Sequence, residues 1–587
     1  MRTLFAALMA AAIAATPTAA PAAGTIPDWV REAPGREAFP EEDGLLVRRH
    51  LRFALDATGR VTRREETAVK MLQDWVSRHG LLDPRIDWND ARAEMRVVEA
   101  RTYMADGTVV EARENSLVPN TAPPLEWAVS YSHMRQMVVA HVGAEHGSTS
   151  VLAYEVADRG PSGVPLWGVV DLARELPVLD DRIEIEVPGD VRVRWAAVGA
   201  SLEPDPAPAG GAAPSFRRRG VPAINAAELS SGREGVPRLV FSTLGDWDAA
   251  RSWLEGRIEP AAAPTPEIEG RARKVAGEGG LEVERVSKIH AFVVEGVRTV
   301  DWPVAAFDYG VRPAAEVLRS SVGHPLDKAV LLAALLRATG FEAKVALAAP
   351  AEVVAREIAS PPQLDEVWVR TRIGAHEVWL DPTAPLDRRN RLHLAGHRVL
   401  VLDGRPGGLA TLPELDPASN RAAVRIEARI EDEKGSLTVG GTADLDLGGL
   451  YNPVVGFDRT KDRWKGLASQ AVSAFEGAEV REIVPAHRSE GLTALSATFA
   501  GGSLEATPGG LVRISIPRVP GGVEGRDLQA WRERRTLPLA LAAPARESVE
   551  MILDLPEGYE AAFAPPPLEL RNAAGSLERT VSLDGRR

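Results

Sequence analysis

Gly323-His324-Pro325-Leu326-Asp327-Lys328-Ala329-Val330-Leu331-Leu332-Ala333-Ala334-Leu335-Leu336-Arg337-Ala338-Thr339-Gly340-Phe341 reads as one buried helix with a marked start and stop. Proline suits a first helical turn, where its missing N–H would be unpaired anyway and its φ is already helical, so Pro325 marks the start. Gly340 supplies the left-handed residue that ends such a helix. Val330, Leu331, Leu332, Leu335 and Leu336 cover more than one face. That predicts packing on several sides and puts the helix at the centre of a domain.

The start of this helix resembles the transglutaminase-like superfamily, whose pattern runs Gly-x-Cys-x-Asp-Lys-Ala into an apolar helix. The resemblance continues at Leu364-Asp365-Glu366-Val367-Trp368-Val369 and Trp379-Leu380-Asp381-Pro382-Thr383, where the family places its histidine and its acid. It implies a papain-like α+β core over residues 267–400, with a thiol that the positive helix start would hold as thiolate. On this alignment Pro325 stands at the cysteine position, Glu366 at the histidine position, and Asp381 keeps the acid. The chain contains no cysteine, so no shift of the alignment restores a thiol. The resemblance therefore implies a vestigial triad and a pseudoenzyme, which binds an envelope protein, peptide or wall fragment or acts as a scaffold. The alternative is a hydrolase or acyl transferase with a recruited Ser/acid or metal mechanism in the same cleft.

The residues around that cleft can be weighed singly. His324, beside the lost nucleophile, reads as a polar residue filling the helix start in preference to a catalytic group. Asp327 suits the positive helix N-terminus. Both remain candidates for a binding cleft, with Trp302 and Trp368 as aromatic walls for a peptide or glycan. Tyr309 and Trp379 read as core. Ser320 and Ser321 lack a good base, since Glu366 would have to serve them. A metal held by His324, Asp327, Glu366 and Asp381 suits the chemistry of the side chains but not their spacing. No metal-spaced histidine cluster is read, and no metal or cofactor is expected. Glu366 beside Asp381 would repel unless matched by a cation such as Lys328.

Residues 1–22 carry Arg2, an apolar run from Leu4 to Ala15, and Ala20-Pro21-Ala22, the pattern of a secretory signal. Export, most simply to the periplasm, is expected, with no transmembrane anchor. The 587 residues suggest three or four domains. The net charge of -13 argues against nucleic acid or an anionic membrane as main partners.

The predicted architecture is multidomain α+β. Residues 42–255 read as an antiparallel β-sandwich, with hairpins at 96–112 and 182–195 and a mobile Pro/Gly-rich loop at 203–215. This part resembles the uncharacterised β-rich DUF3857-type domain that precedes transglutaminase-like cores in bacterial envelope proteins. The features that carry it are Ala100-Arg101-Thr102-Tyr103 leading to Asp106-Gly107, and Phe241-Ser242-Thr243 with Asp246-Trp247. Residues 256–266 read as a Pro-rich linker. Residues 415–587 read as a β domain, with strands at 424–430 and 437–439 joined by a turn at 433–435, and further strands at 511–516 and 548–555. One amphipathic helix should cover its sheet through Trp464, Leu467, Ala468, Ala471, Val472 and Phe475.

Overall fold

The computed structural model describes residues 26–585 except 74–83, 162, 206–213, 226–227, 229–234, 386–392, 453–460, 489–490, 508–509, 524–534, 536, 538–540 and 542. The signal-like segment 1–22 and most of the 203–215 loop lie outside the described residues. Among the described residues no helix is long and apolar enough to cross a membrane. The chain forms two compact units, one built from residues 1–166, 173–193 and 202–224, the other from 167–172, 194–201 and 225–587.

The first unit is built on a seven-stranded sheet. Its spatial order is Ser215–Val221, Val178–Glu186, Gly44–Leu55, Val61–Met71, Thr149–Asp158, Ala93–Tyr103 and Val109–Glu111. Strands Arg85–Asn89, Met134–Val139 and Leu117–Thr121 form a second sheet. Ile86, Met137 and Val139 from that second sheet share one apolar cluster with Met95, Val97, Leu152 and Tyr154 from the first. Two sheets thus pack face to face, as expected. The sandwich is not purely antiparallel, because Gly44–Leu55 runs parallel to Val178–Glu186. Arg49 and Asp181, on this parallel pair, form a fully buried ion pair at 2.7 Å.

The hairpin expected at 96–112 is present: Tyr103 pairs with Val109, and Gly107 takes a φ of 94° in the turn. The one expected at 182–195 is absent. Val178–Glu186 already has both edges filled, by Gly44–Leu55 and Ser215–Val221, while Arg194–Val198 pairs with Arg238–Ser242.

In the second unit, the expected linker is mostly helix. Trp247–Ala261 is helical with Pro260 inside its last turn, and a new helix, Pro266–Ala276, starts with its proline at the first position. Proline so near a helix end forfeits only one backbone hydrogen bond, which is why the Pro-rich composition misleads here. The chain then forms Glu282–Gly296 before reaching the central helix, Pro325–Ala338.

Every residue of the central helix from Leu326 to Leu336 is buried. It packs on a five-stranded antiparallel sheet ordered His376–Leu380, Glu366–Ile373, Ala343–Pro350, His397–Val401 and Ala410–Thr411. Alternation sorts the side chains of this sheet. Val345, Leu347, Val367 and Val369 join the core around the helix, whereas Ala346, Ala348, Trp368 and Val399 form a separate cluster with Leu394 on the other face.

The C-terminal β domain is also present. Strands Arg421–Glu433 and Ser436–Gly448 meet at a tight turn with Lys434 and Gly435 at φ values of 56° and 91°. Glu479–Arg488, Leu492–Leu504 and Arg546–Asp554 complete the sheet. The helix Lys461–Ala471 covers it through Trp464, Ala468 and Ala471, with Val472 and Phe475 following. The strand expected at 511–516 does not form; Val512 makes a single bridge to Ala506.

Candidate functional site

The helix start is closed by its own histidine. His324 is buried, and its Nδ1 accepts from the backbone N–H groups of Leu326 and Asp327 at 3.2 and 3.4 Å. Its Nε2 donates to the Gly310 carbonyl at 3.1 Å, and its ring stacks on Phe307 at 4.5 Å. A lone imidazole therefore consumes the N–H groups that would otherwise favour an anion at Pro325. Gly323 leaves little room beside it, since a Cβ there would lie 3.2 Å from both Asp327 Cβ and Lys328 Cγ.

Asp327 is also spoken for. Its carboxylate is fully buried and accepts from the Arg312 backbone N–H at 2.8 Å and from Arg312 Nε at 2.9 Å. Lys328 Nζ donates to Val297 O at 2.8 Å and to Thr299 Oγ1 at 2.9 Å. Burial pushes the Lys328 ammonium down to about 8, against the opposing pull of Asp381. Asp381 holds its own turn, accepting from the N–H and hydroxyl of Thr383, each at 2.7 Å. Its backbone carbonyl accepts from His290 Nε2 at 2.6 Å.

Glu366 departs from the expected cleft. It opens its strand on the same face as Trp368, the face turned away from the central helix. There its Oε1 lies 2.9 Å from His393 Nε2 and 3.4 Å from His397 Nε2, while Trp368 Nε1 donates to Oε2 at 3.0 Å. Burial would raise the Glu366 carboxyl, but the two imidazoles outweigh it and pull it down to about 2. The donor atoms of Glu366, His393 and His397 all lie within 4.8 Å of one another.

Local backbone explains the convergence of the two histidines. His397 N–H bonds back to Leu394 O at 3.0 Å, and Gly396 takes a φ of 75°, so the chain folds tightly between them. Their ring centroids come within 5.1 Å. Trp368 lies nearly parallel to the His393 ring, 22° between planes, and steadies it.

The metal set His324, Asp327, Glu366 and Asp381, already disfavoured by its spacing, has each carboxylate held by partners of its own. Lys328 does not match Glu366; the two imidazoles do. Trp368 is 2% exposed and so holds Glu366 without offering a ring face to a ligand. Trp302 is half-buried on the loop after Val300. His393 and His397, which the sequence reading did not single out, are brought together with Glu366. Their i, i+4 spacing was the available signal, but nothing local ties them to Glu366.

Residues 57–222 match the model of DUF3857, a domain of unknown function with a solved structure, and residues 269–380 match the transglutaminase-like superfamily. The core of this chain is transglutaminase-like. The crystal structure of a putative protease from Parabacteroides distasonis matches with a TM-score of 0.58 at 18% identity, over 82% of this chain and 95% of that one. At this identity the likeness establishes a shared fold. A second bacterial structure, a putative cysteine protease from Cytophaga hutchinsonii, matches over 56% of this chain and 77% of its own at 10% identity. Its TM-score of 0.17 carries no argument. No curated protein matches the chain. The reading of the core as a pseudoenzyme is corrected here. The structure that shares the fold is described as a putative protease, and the absence of cysteine removes the thiol route without establishing an inactive protein.

Proposed function

We propose that this protein is a hydrolase of peptide or related acyl bonds whose reactive centre is the group Glu366, His393 and His397, on the outer face of the core sheet. The observation that carries the reading is the convergence of two imidazoles on one carboxylate, with His393 half exposed to solvent. Such a group is equipped to activate a water molecule. The helix start, by contrast, carries proline and a histidine locked by three backbone contacts. The likeness of fold to a protein described as a protease supports the substrate class. The reading includes export through residues 1–22, with an envelope peptide or wall fragment as substrate, which cell fractionation would check.

The test is hydrolysis of a fluorogenic peptide library by the full chain. His393→Ala and Glu366→Gln should each lower the rate by roughly 100-fold or more, with little change in melting temperature. Pro325→Ala should stay within about twofold of the parent, since it removes no group from the centre. Equal rates in parent and cluster variants, or no cleavage of any peptide, would sink the proposal.

A further inference from the structure

We infer that Glu366, His393 and His397 bind one divalent transition-metal ion of the zinc type through Glu366 Oε1 and the two Nε2 atoms, leaving a coordination position open to solvent. Its binding is argued from geometry alone; only its catalytic role rests on the function proposed above.

His397 is the first observation. Its side chain is 7% exposed, and its Nδ1 lies 3.2 Å from the Ala395 carbonyl, to which it donates. In its neutral form the ring then presents the Nε2 lone pair to the cluster. That nitrogen makes no hydrogen bond of acceptable geometry, although Glu366 Oε1 is 3.4 Å away. A lone pair facing a carboxylate calls for a proton or a cation between them. A backbone carbonyl that fixes the other ring nitrogen is the usual support of a ligating histidine.

Spacing is the second. Around a tetrahedral ion with bonds of about 2.0–2.2 Å, neighbouring ligand atoms sit roughly 3.3–3.6 Å apart. Oε1 is 2.9 Å from one Nε2 and 3.4 Å from the other, and all three atoms lie within 4.8 Å of one another, so shifts of about an ångström or less bring them into such a shell. Trp368 Nε1 occupies Oε2, which leaves Oε1 to point inward. Two imidazoles and one carboxylate favour zinc, iron, nickel or copper over magnesium or calcium. Three protein ligands with one side open describe a catalytic site and not a closed structural one. His393, 48% exposed, forms the open side.

Calorimetric titration of the chelator-treated full chain with Zn²⁺ tests the inference, and the absence of cysteine leaves no thiolate to compete. The expected result is one ion per chain, with affinity reduced at least about tenfold in Glu366→Gln, His393→Ala and His397→Ala. Trp368→Phe, which removes the bond to Oε2 and part of the ring packed beside His393, should weaken binding by roughly 10- to 100-fold and keep the stoichiometry. His376→Ala, an exposed histidine on the same sheet, should bind as the parent does. Thermal melts of each variant separate lost binding from lost folding, and half-exposed His393 is the position where folding should survive. No uptake by the parent, or equal affinity in the folded ligand variants, would overturn the site. Full hydrolytic activity in verified metal-free protein would overturn the ion's role while leaving the proposed function standing. Stoichiometric binding without hydrolysis would leave the metal site standing and overturn the proposed function.

Discussion

Lys328 shows how a residue kept from an active-family pattern serves the fold. Its ammonium is buried against the carbonyl of Val297 and the hydroxyl of Thr299, and burial lowers it from its usual 10.5 to about 8. Below pH 8 both folded and unfolded chains carry the proton, so the cost of the buried charge is constant. Between about 8 and 10.5 the unfolded chain binds more protons than the folded one, and stability from this residue rises with pH. Denaturant unfolding of the parent and Lys328→Met across this window should show the parent gaining by on the order of 1–3 kcal/mol. Parallel curves would contradict the burial. Tyr309 offers a second residue-scale test. It stands at a left-handed φ of 57°, edge-on to Trp167 and Trp253, and its buried hydroxyl has no hydrogen-bond partner among the described residues. Tyr309→Phe should leave stability unchanged or raise it by up to about 1 kcal/mol, read from the melting curve.

Among elements, the long C-terminal hairpin depends on one glycine. A Cβ at Gly441 would lie 2.0 Å from the Glu427 carbonyl oxygen, in a stretch where the register with Leu492–Leu504 shifts. Gly441→Ala should therefore cost about 3 kcal/mol or more, or prevent soluble expression. A melting temperature equal to the parent's would show that the bulge relaxes. The central helix was legible because Pro325, the apolar run and Gly340 are local signals that agree with one another. Trp464 to Phe475 was legible for the same reason. The false hairpin at 182–195 failed because strand partners are chosen by distant edges. Pro188-Gly189 does turn the chain, but the flanking segments find other neighbours. Pro260 misled because composition does not say where in a helix a proline falls.

At the scale of the whole molecule, the core retains a transglutaminase-like frame while its chemistry is redistributed. Motif spacing places Glu366 in line with a lost histidine, yet strand alternation turns its side chain to the opposite face of the sheet, toward His393 and His397. That outcome depends on which face of a strand each side chain takes and on a loop folding back, neither of which an alignment of motifs records. The single most direct measurement is anomalous diffraction at the zinc edge from crystals of the full chain grown with Zn²⁺. The account predicts one peak about 2.0–2.2 Å from Glu366 Oε1, His393 Nε2 and His397 Nε2. No peak at that position, or a peak at the start of the central helix beside His324, would contradict it.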